Sequence, residues 1–433
     1  MSRLTVSQGA AVSVGAVLGT GVIGLPAIAA QIAGPASLIA WAGLIVISIP
    51  LAATFAALGA RYPDAGGVST YVRRAFGARA ATAIGWCFYF AIPAGAPAAA
   101  MFAGAYVAAA VGGGERTTLI TAAVLIIGVG VANAWGVRVS GRVQLGLAAV
   151  LVTMLVVATA TALPHARLEN LQPFAPHGWA AIAPAAAVLV WGFAGWEAVT
   201  SLAADFRRPR RDVPRAAAIA IVVVGVLYLA VASTSLLVLG SATGTTDAPL
   251  AELLAVGVGG QVKVITAGLA VLLTIGAMNA YFAGGAKLGA ALGRDGSLPG
   301  WFARGSSAGE VPRRSLAVVG GLGVLALIAV AVAGVGSEPS ILLATGAFVL
   351  VYVLGCAAAV KLLPKRSWAR RTAVVACALS VLLLAISGWY VLGALGVGVL
   401  AVVYHWRRSR SAAARADAEQ APVEEASVPA PVG

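Results

Sequence analysis

Glu197 is the only carboxylate that lies within a long apolar segment of this 433-residue sequence. A carboxylate in hydrocarbon is costly, and such a residue is usually retained for a function. Because burial favours the neutral acid, Glu197 could take up a proton and later release it. The alternative is a permanently protonated Glu197 that donates a hydrogen bond between helices.

Glycines surround Glu197 and recur in one other apolar segment. The first segment reads WGFAGWE over residues 191–197, and the second reads GAVLGTGVIGLP over residues 15–26. Glycine and proline weaken a helix, and backbone groups freed in a membrane need partners or must line a cavity. The predicted helix-breaking residues are Gly15, Gly24, Pro26, Gly192 and Gly195. Close helix packing through Gly15 and Gly19 is the alternative for the second segment.

Two interrupted helices can bind a zwitterion. The N–H groups at the start of a half-helix attract a carboxylate, and the carbonyls at the end of another attract an ammonium group. An amino acid satisfies both, so the pattern predicts the head group of a substrate and leaves its side chain open. Interrupted segments at corresponding positions of two halves are typical of the midplane site of a secondary transporter.

The composition requires that these segments lie in a membrane. The chain is 60% apolar and 10% charged, with a mean hydropathy of +0.95, whereas soluble domains carry about 25% charged residues. A span needs about 20 apolar residues, which predicts twelve spans. They are 12–32, 36–58, 81–111, 118–135, 143–162, 179–204, 214–239, 261–287, 315–335, 339–363, 371–387 and 389–404.

An even number of spans places both termini on one side of the membrane. All but three of the 29 Lys and Arg residues then lie on the side of the termini, the exceptions being Arg116, Arg167 and Lys263. The positive-inside rule therefore predicts cytoplasmic termini in a bacterial-type inner membrane. This distribution also accounts for the net charge of +14 without a nucleic-acid partner.

The interrupted segments open spans 1 and 6, so the first ten spans divide into two sets of five. Because five is odd, the second set enters from the opposite side, and the repeat is inverted. The predicted parts are a cytoplasmic N-terminus (1–11), a first repeat (12–162), an inverted second repeat (179–363), spans 11 and 12 (371–404) and a disordered cytoplasmic tail (405–433).

Several motifs resemble the amino acid-polyamine-organocation superfamily of permeases. They are GTG at 19–21 with Leu25-Pro26, RYPDAGG at 61–67 with AFG at 75–77, and FAGWE at 193–197 running on to RRP at 207–209 and PRA at 214–216. Together they cover about residues 10–404. Within the superfamily, IPAGAP at 92–97 most resembles the bacterial methionine and branched-chain amino acid exporter branch.

The resemblance implies an all-α, leucine-transporter-like fold, with spans 1–5 and 6–10 as inverted repeats and spans 11–12 peripheral. It implies that the amides of Gly19, Thr20 and Gly21 receive the substrate carboxylate. The carbonyls near Trp191 and Ala194 would receive the amino group.

The same resemblance assigns the remaining site residues. Trp191 would be a gate over the site, and Glu197 the proton-linked residue. Ile92, Ala96 and Tyr281 would line the side-chain pocket, although ordinary core packing explains Tyr281 equally well.

The coupling ion and the substrate specificity are inferred from residue types that the spans lack. Span 5 has no Lys at 150–152, and span 8 lacks paired hydroxyls near 274–279, so proton coupling or exchange is favoured over sodium coupling. Apolar residues in span 3 favour Met, Leu, Ile and Val as substrates, and efflux rests on the resemblance. An uptake permease or exchanger of different specificity is the alternative.

A non-transporting membrane protein or intramembrane enzyme is the alternative from another class. An enzyme would need a nucleophile with its base, or a metal cluster. The histidines lie in loops or at a span end, and the three cysteines show no metal-ligand spacing. The sequence therefore predicts no catalytic residue, metal or cofactor, and its expected partners are an amino acid, protons and membrane lipids.

Overall fold

The computed structural model describes residues 4–19, 21–63, 67–136, 141–197, 203, 206–260, 262–304 and 311–420. Within these ranges the chain is built from helices, and its only β contact is a bridge between Leu4 and Phe206. The α-helices are α1 (Val6–Leu18), α2 (Gly21–Ala33), α3 (Ser37–Arg61), α4 (Gly67–Phe76), α5 (Ala78–Val111), α6 (Gly114–Ala134), α7 (Gly141–Ala162), α8 (Ile182–Leu189), α9 (Pro209–Leu239), α10 (Pro249–Val258), α11 (Val262–Arg294), α12 (Arg313–Ala333), α13 (Glu338–Leu362), α14 (Trp368–Ile386) and α15 (Val391–Gln420).

Ten helical segments in the described part of the chain are long and apolar enough to cross a membrane. They are Gly21–Arg61, Ala78–Val111, Gly114–Ala134, Leu145–His165, Pro209–Gly244, Val262–Arg294, Arg313–Ala333, Glu338–Leu362, Trp368–Ile386 and Gly388–Arg408. Their outer faces carry exposed apolar side chains, such as Val124, Ile127 and Val131 on α6. Lipid tails would cover such faces, so this is a multi-pass membrane protein.

The count differs from the twelve predicted spans because predicted spans 1 and 6 are interrupted. α1 ends at Leu18 and α2 begins at Gly21, with Gly19 at a φ of +37°. In the sixth span, α8 passes into a 3₁₀ turn at Val190–Phe193, after which Ala194 is extended. α1 has 13 residues and is about 20 Å long, which is too short to cross a bilayer alone.

The second half of the first span is continuous with the next helix. A 3₁₀ turn at Gly34–Ala36 follows α2 directly, and α3 begins at the next residue, Ser37. No loop separates the two helices within Gly21–Arg61, but Gly34 in the turn has a φ of +59°, so the regular helical backbone is interrupted between α2 and α3.

Three predicted helix-breaking residues lie inside helices instead. Gly15 is within α1, and Gly24 and Pro26 are within α2. Pro26 removes only one intrahelical hydrogen bond near the start of α2. A Cβ atom at Gly24 would overlap the Phe102 ring of α5, and one at Gly15 would lie 3.1 Å from the Ala148 Cβ of α7. The interruption is thus at Gly19, and close packing accounts for Gly15 and Gly24.

The C-terminal segment also departs from the prediction. α15 continues to Gln420, past the predicted end of the last span at residue 404. The added part is rich in Ala and Arg, which favour helix, so residues 405–420 are helical rather than disordered. The rest of the predicted tail, 421–433, lies outside the described residues.

α5 and α6 pack backbone against backbone at Gly104. A Cβ atom there would lie 2.9 Å from the Thr118 Cα and 3.0 Å from its carbonyl carbon. Backbone atoms cannot rotate away as a side chain can, so any added atom must push the two helices apart.

Gly104→Ala is expected to destabilise the fold by about 1–3 kcal/mol, the usual cost of overpacking a core. The measurement is the apparent midpoint of thermal unfolding in detergent. Gly128→Ala is the matched control, because a Cβ atom at Gly128 of α6 meets nothing within 4 Å. Equal midpoints for the two variants would contradict this account of the contact.

Candidate functional site

A cavity of about 50 Å³ lies where the two interrupted helices meet. One water molecule occupies about 10–15 Å³ by a comparable measure, so the cavity has room for a few waters. Seven of the predicted substrate-binding residues line it: Gly19, Gly21, Ile92, Ala96, Trp191, Ala194 and Tyr281. The eighth, Thr20, lies outside the described residues. Residues from α1, α2, α5, α11 and α13 and from the segment after α8 thus converge on one space.

Helix ends of both polarities reach this cavity. α1 ends at Leu18 and the 3₁₀ turn ends at Phe193, so each presents carbonyls without an intrahelical partner. α2 begins at Gly21, which lines the cavity, and its first N–H groups carry the positive end of the helix dipole. The cavity can therefore receive a carboxylate and an ammonium group at different places.

The two interruptions touch each other through glycines. A Cβ atom at Gly21 would lie 3.1 Å from the Gly192 Cα. At Gly195 the φ of +124° excludes most side chains, and a Cβ atom would lie 2.9 Å from the Ala16 carbonyl oxygen of α1. Predicted helix-breaking residues Gly192 and Gly195 therefore serve the close approach of the sixth span to the first.

Trp191 occupies the centre of the site. Its indole packs against Phe348 of α13 with ring centroids 6.3 Å apart. On the other side, a Cβ atom at Gly95 of α5 would overlap the indole ring. The tryptophan thus bridges the interrupted sixth span to α5, at a place where α5 has no side chain.

Tyr281 lies in α11 and lines the cavity. It is 39% exposed, which is high for a residue well inside a long apolar helix. Tyr281 is therefore on the cavity wall and is not enclosed in the core. The neighbouring wall residues Met278, Phe282 and Phe348 are apolar.

Glu197 is buried, and its hydrogen bonds to described residues include two donors. Its Oε2 atom accepts hydrogen bonds from the Tyr352 hydroxyl of α13 at 2.9 Å and from the Gly195 backbone N–H at 3.1 Å. The Gly195 N–H also approaches the Tyr352 oxygen at 3.3 Å. The carboxyl group therefore links the interrupted sixth span to α13.

Sequence reasoning missed Tyr352 and a second buried tyrosine, Tyr228 of α9. Both are 1% exposed, and both donate to atoms of the interrupted spans. The available signal was a tyrosine in the middle of an apolar span, because a buried phenol hydroxyl needs a hydrogen-bond partner. That signal does not identify the partner.

The described residues include no group of three or more His, Cys, Asp or Glu that could hold a metal ion. The cysteines are free thiols, and Cys87 and Cys356 are buried. Among the described residues, the polar groups in and around this site include helix-end backbone groups, the Trp191 indole N–H, tyrosine hydroxyls and the Glu197 carboxyl group.

Comparison with known proteins gives consistent matches along the chain. The sequence model of a family described as "Amino acid permease" matches residues 4–407. The chain is 32% identical over 393 residues to the "Uncharacterized amino acid permease YecA" of Bacillus subtilis, covering 90% of this chain and 92% of YecA. It is 32% identical over 399 residues to the "L-methionine/branched-chain amino acid exporter YjeH" of Escherichia coli, covering 91% and 93%. The "Branched-chain amino acid permease BcaP" of Bacillus subtilis is 26% identical over 240 residues, covering 51% of each chain.

Proposed function

This chain belongs to the amino acid permease family, and we propose that it is a secondary transporter of neutral, hydrophobic amino acids that works by alternating access. The observation that carries the proposal is the cavity between two interrupted helices, with carbonyl ends and an N–H end beside it. A zwitterionic head group is the ligand that satisfies both polarities.

The proposed architecture has twelve spans in a leucine-transporter-like arrangement. α1 with α2 forms the first span, and the segment from residue 179 forms the sixth. Residues 12–162 and 179–363 are the inverted repeats, spans 11 and 12 are peripheral, and both termini are cytoplasmic. The spacing of the two interrupted spans, five spans apart, supports this division.

The head group is proposed to bind across the two interruptions. Gly19, Thr20 and Gly21 offer amides to the carboxylate, next to the positive end of α2. The carbonyls near Trp191 and Ala194 receive the ammonium group, and Trp191 acts as the gate. The contact between Gly21 and Gly192 supports a ligand that spans both segments.

The side-chain pocket is proposed to select Met, Leu, Ile and Val. Its described wall combines Ile92 and Ala96 with Met278, Phe282 and Phe348, and no Lys, Arg, Asp or Glu is among the described lining residues. A charged substrate side chain would lose its hydration there without gaining a partner, which is costly. Similarity to YjeH, named an exporter, supports efflux as the direction.

Glu197 is proposed to couple transport to protons. It is buried three residues beyond Ala194 of the cavity wall and bonds to two different structural elements. Gain or loss of its proton would change both hydrogen bonds, and with them the contact between the sixth span and α13.

The test uses purified protein in sealed liposomes preloaded with unlabelled methionine. We expect labelled methionine and leucine to be taken up at least fivefold faster than in protein-free liposomes. Excess unlabelled isoleucine or valine should inhibit this uptake, and lysine or glutamate should not. A folded protein that exchanges none of these amino acids would overturn the proposal, and preference for lysine or glutamate would overturn the specificity.

A further inference from the structure

Tyr228 joins the two interrupted helices through one hydroxyl group. Its oxygen lies 3.0 Å from the Val17 carbonyl oxygen, in the last turn of α1, and 2.5 Å from the Gly192 carbonyl oxygen in the 3₁₀ turn. Tyr228 is on α9, which belongs to neither interrupted span. It is 1% exposed, so the contact is made away from bulk solvent.

Both carbonyls lack a partner within their own helices. α1 ends at Leu18, so no α1 residue supplies the N–H that the Val17 carbonyl would normally accept. A continuing 3₁₀ helix would pair the Gly192 carbonyl with the Gly195 N–H, but that N–H donates to Glu197 and Tyr352 instead. The Tyr228 hydroxyl is the donor that approaches each of these carbonyls instead of a helix N–H.

One hydroxyl hydrogen cannot fully satisfy two carbonyls. A tyrosine hydroxyl donates a single hydrogen, and a carbonyl can only accept. The shorter distance assigns that hydrogen mainly to Gly192. Val17 lines the cavity, whereas Gly192 does not appear among the described lining residues. The carbonyl left short of a donor thus belongs to a residue on the cavity wall.

The surroundings of Tyr228 hold its hydroxyl in place. Its ring packs against Trp41 and against Phe193, with both centroid distances 5.0 Å. Gly192 permits the approach, since a Cβ atom there would lie 2.7 Å from the Leu25 Cδ1 and 3.4 Å from the Tyr228 oxygen. The bridge is therefore fixed by packing on one side and by the absence of a side chain on the other.

We propose that Tyr228 is a positioning residue for the ammonium group of the substrate. Its hydroxyl holds the carbonyl ends of the two interrupted helices together, and it leaves the Val17 carbonyl available to a second donor. An ammonium group in the cavity supplies that donor, whereas a carboxylic acid with no hydrogen-bond donor at this position does not. Tyr228 then contributes to the preference for amino acids over acids that lack the amine. This inference rests on the proposed function.

The test compares two ligands that differ at one group. L-leucine and 4-methylpentanoate share a carboxylate and a side chain, but the second carries a hydrogen atom in place of the ammonium group and so has no hydrogen-bond donor there. Each is titrated as an inhibitor of labelled methionine exchange by the wild type and by Tyr228→Phe. The variant keeps the ring that packs on Trp41 and Phe193 and loses the hydroxyl.

We expect Tyr228→Phe to weaken inhibition by leucine tenfold or more and inhibition by 4-methylpentanoate less than twofold. KM for leucine should rise more than the maximal rate falls. If the substitution weakened inhibition by both ligands equally, Tyr228 would have a merely structural role. If it changed inhibition by neither ligand, Tyr228 would have no role in binding. Either outcome overturns the inference. A folded wild type that exchanges neither methionine nor leucine is a different failure, that of the proposed function.

Two further variants provide a control and a replacement for Tyr228→Phe. Tyr89→Phe is the matched control, because Tyr89 is a buried tyrosine whose hydroxyl donates to the Ser315 carbonyl at 3.0 Å, apart from the cavity residues. It should leave the ratio of the two ligands' inhibition constants unchanged. If Tyr228→Phe does not fold, Gly192→Ala replaces it, because the added Cβ atom disturbs the same bridge at the Gly192 end. It should reduce the difference between the inhibition constants of the two ligands.

Discussion

Replacing Glu197 with glutamine is expected to abolish the stimulation of methionine uptake by an imposed pH gradient, while exchange without a gradient stays within about threefold of wild type. Glutamine has nearly the same shape, and its amide oxygen can still accept from the Tyr352 hydroxyl and the Gly195 N–H, which both donate to Glu197. It cannot take up or release a proton at neutral pH. Loss of the drive without loss of exchange is therefore the result specific to a proton-coupling role.

The measurement is initial uptake into proteoliposomes with and without the gradient, at equal amounts of reconstituted protein. Glu252→Gln is the matched control. Glu252 pairs with Lys263 at 2.7 Å, and both side chains are about one-third exposed; such pairs typically contribute about 0–1 kcal/mol to stability. This control should keep its response to the gradient. A Glu197→Gln protein that is still driven by the gradient would contradict the assigned role.

Gly195→Ala is expected to reduce the rate of methionine exchange tenfold or more. The φ of +124° at Gly195 is a conformation that L side chains rarely adopt, and the added Cβ atom would lie 2.9 Å from the Ala16 carbonyl oxygen. Holding a non-glycine residue in such a conformation costs about 1–3 kcal/mol. Relief of that strain would displace the N–H that donates to Glu197 or would move the sixth span away from α1.

Exchange by Gly195→Ala is compared with exchange by Gly284→Ala at equal protein. Gly284 lies on α11, three residues from Tyr281, and a Cβ atom there meets nothing within 4 Å. The control should therefore work at close to the wild-type rate. If Gly195→Ala also exchanged methionine at that rate, the close approach of the two interruptions would not be needed for transport.

Glu197 shows what the sequence could predict and where it stopped. A lone carboxylate in an apolar segment is conspicuous, because the cost of burying it is high in any fold. Its donor Tyr352 is 155 residues away in the chain. Nothing in the local pattern around either residue specifies that pairing, since it arises from the packing of α13 against the interrupted span.

The first interruption shows a different limit. Four glycines and a proline over residues 15–26 predict a weak helix, but they do not determine where it breaks. The break lies at Gly19, while Gly24 and Pro26 remain helical in α2. The outcome depends on neighbours that the sequence does not bring into view, such as the Phe102 ring that approaches Gly24.

The seven predicted substrate-binding residues that line the cavity were identifiable by resemblance, whereas Gly95 was identifiable only as part of a motif. Its importance comes from the Trp191 indole, which occupies the space that a Cβ atom would need. The need for glycine at position 95 depends on the positions of both α5 and the segment that carries Trp191. It can therefore be inferred only from the structure.

The direct join between α2 and α3 has a mechanical consequence. The 3₁₀ turn at Gly34–Ala36 has only three residues, so a displacement of the C-terminal end of α2 also moves the start of α3. Gly19 and Gly34, which lie on either side of α2, both have a positive φ, a conformation that glycine adopts at little steric cost. A change in the angle between α2 and either neighbouring helix would therefore require backbone rotation near one of these two glycines.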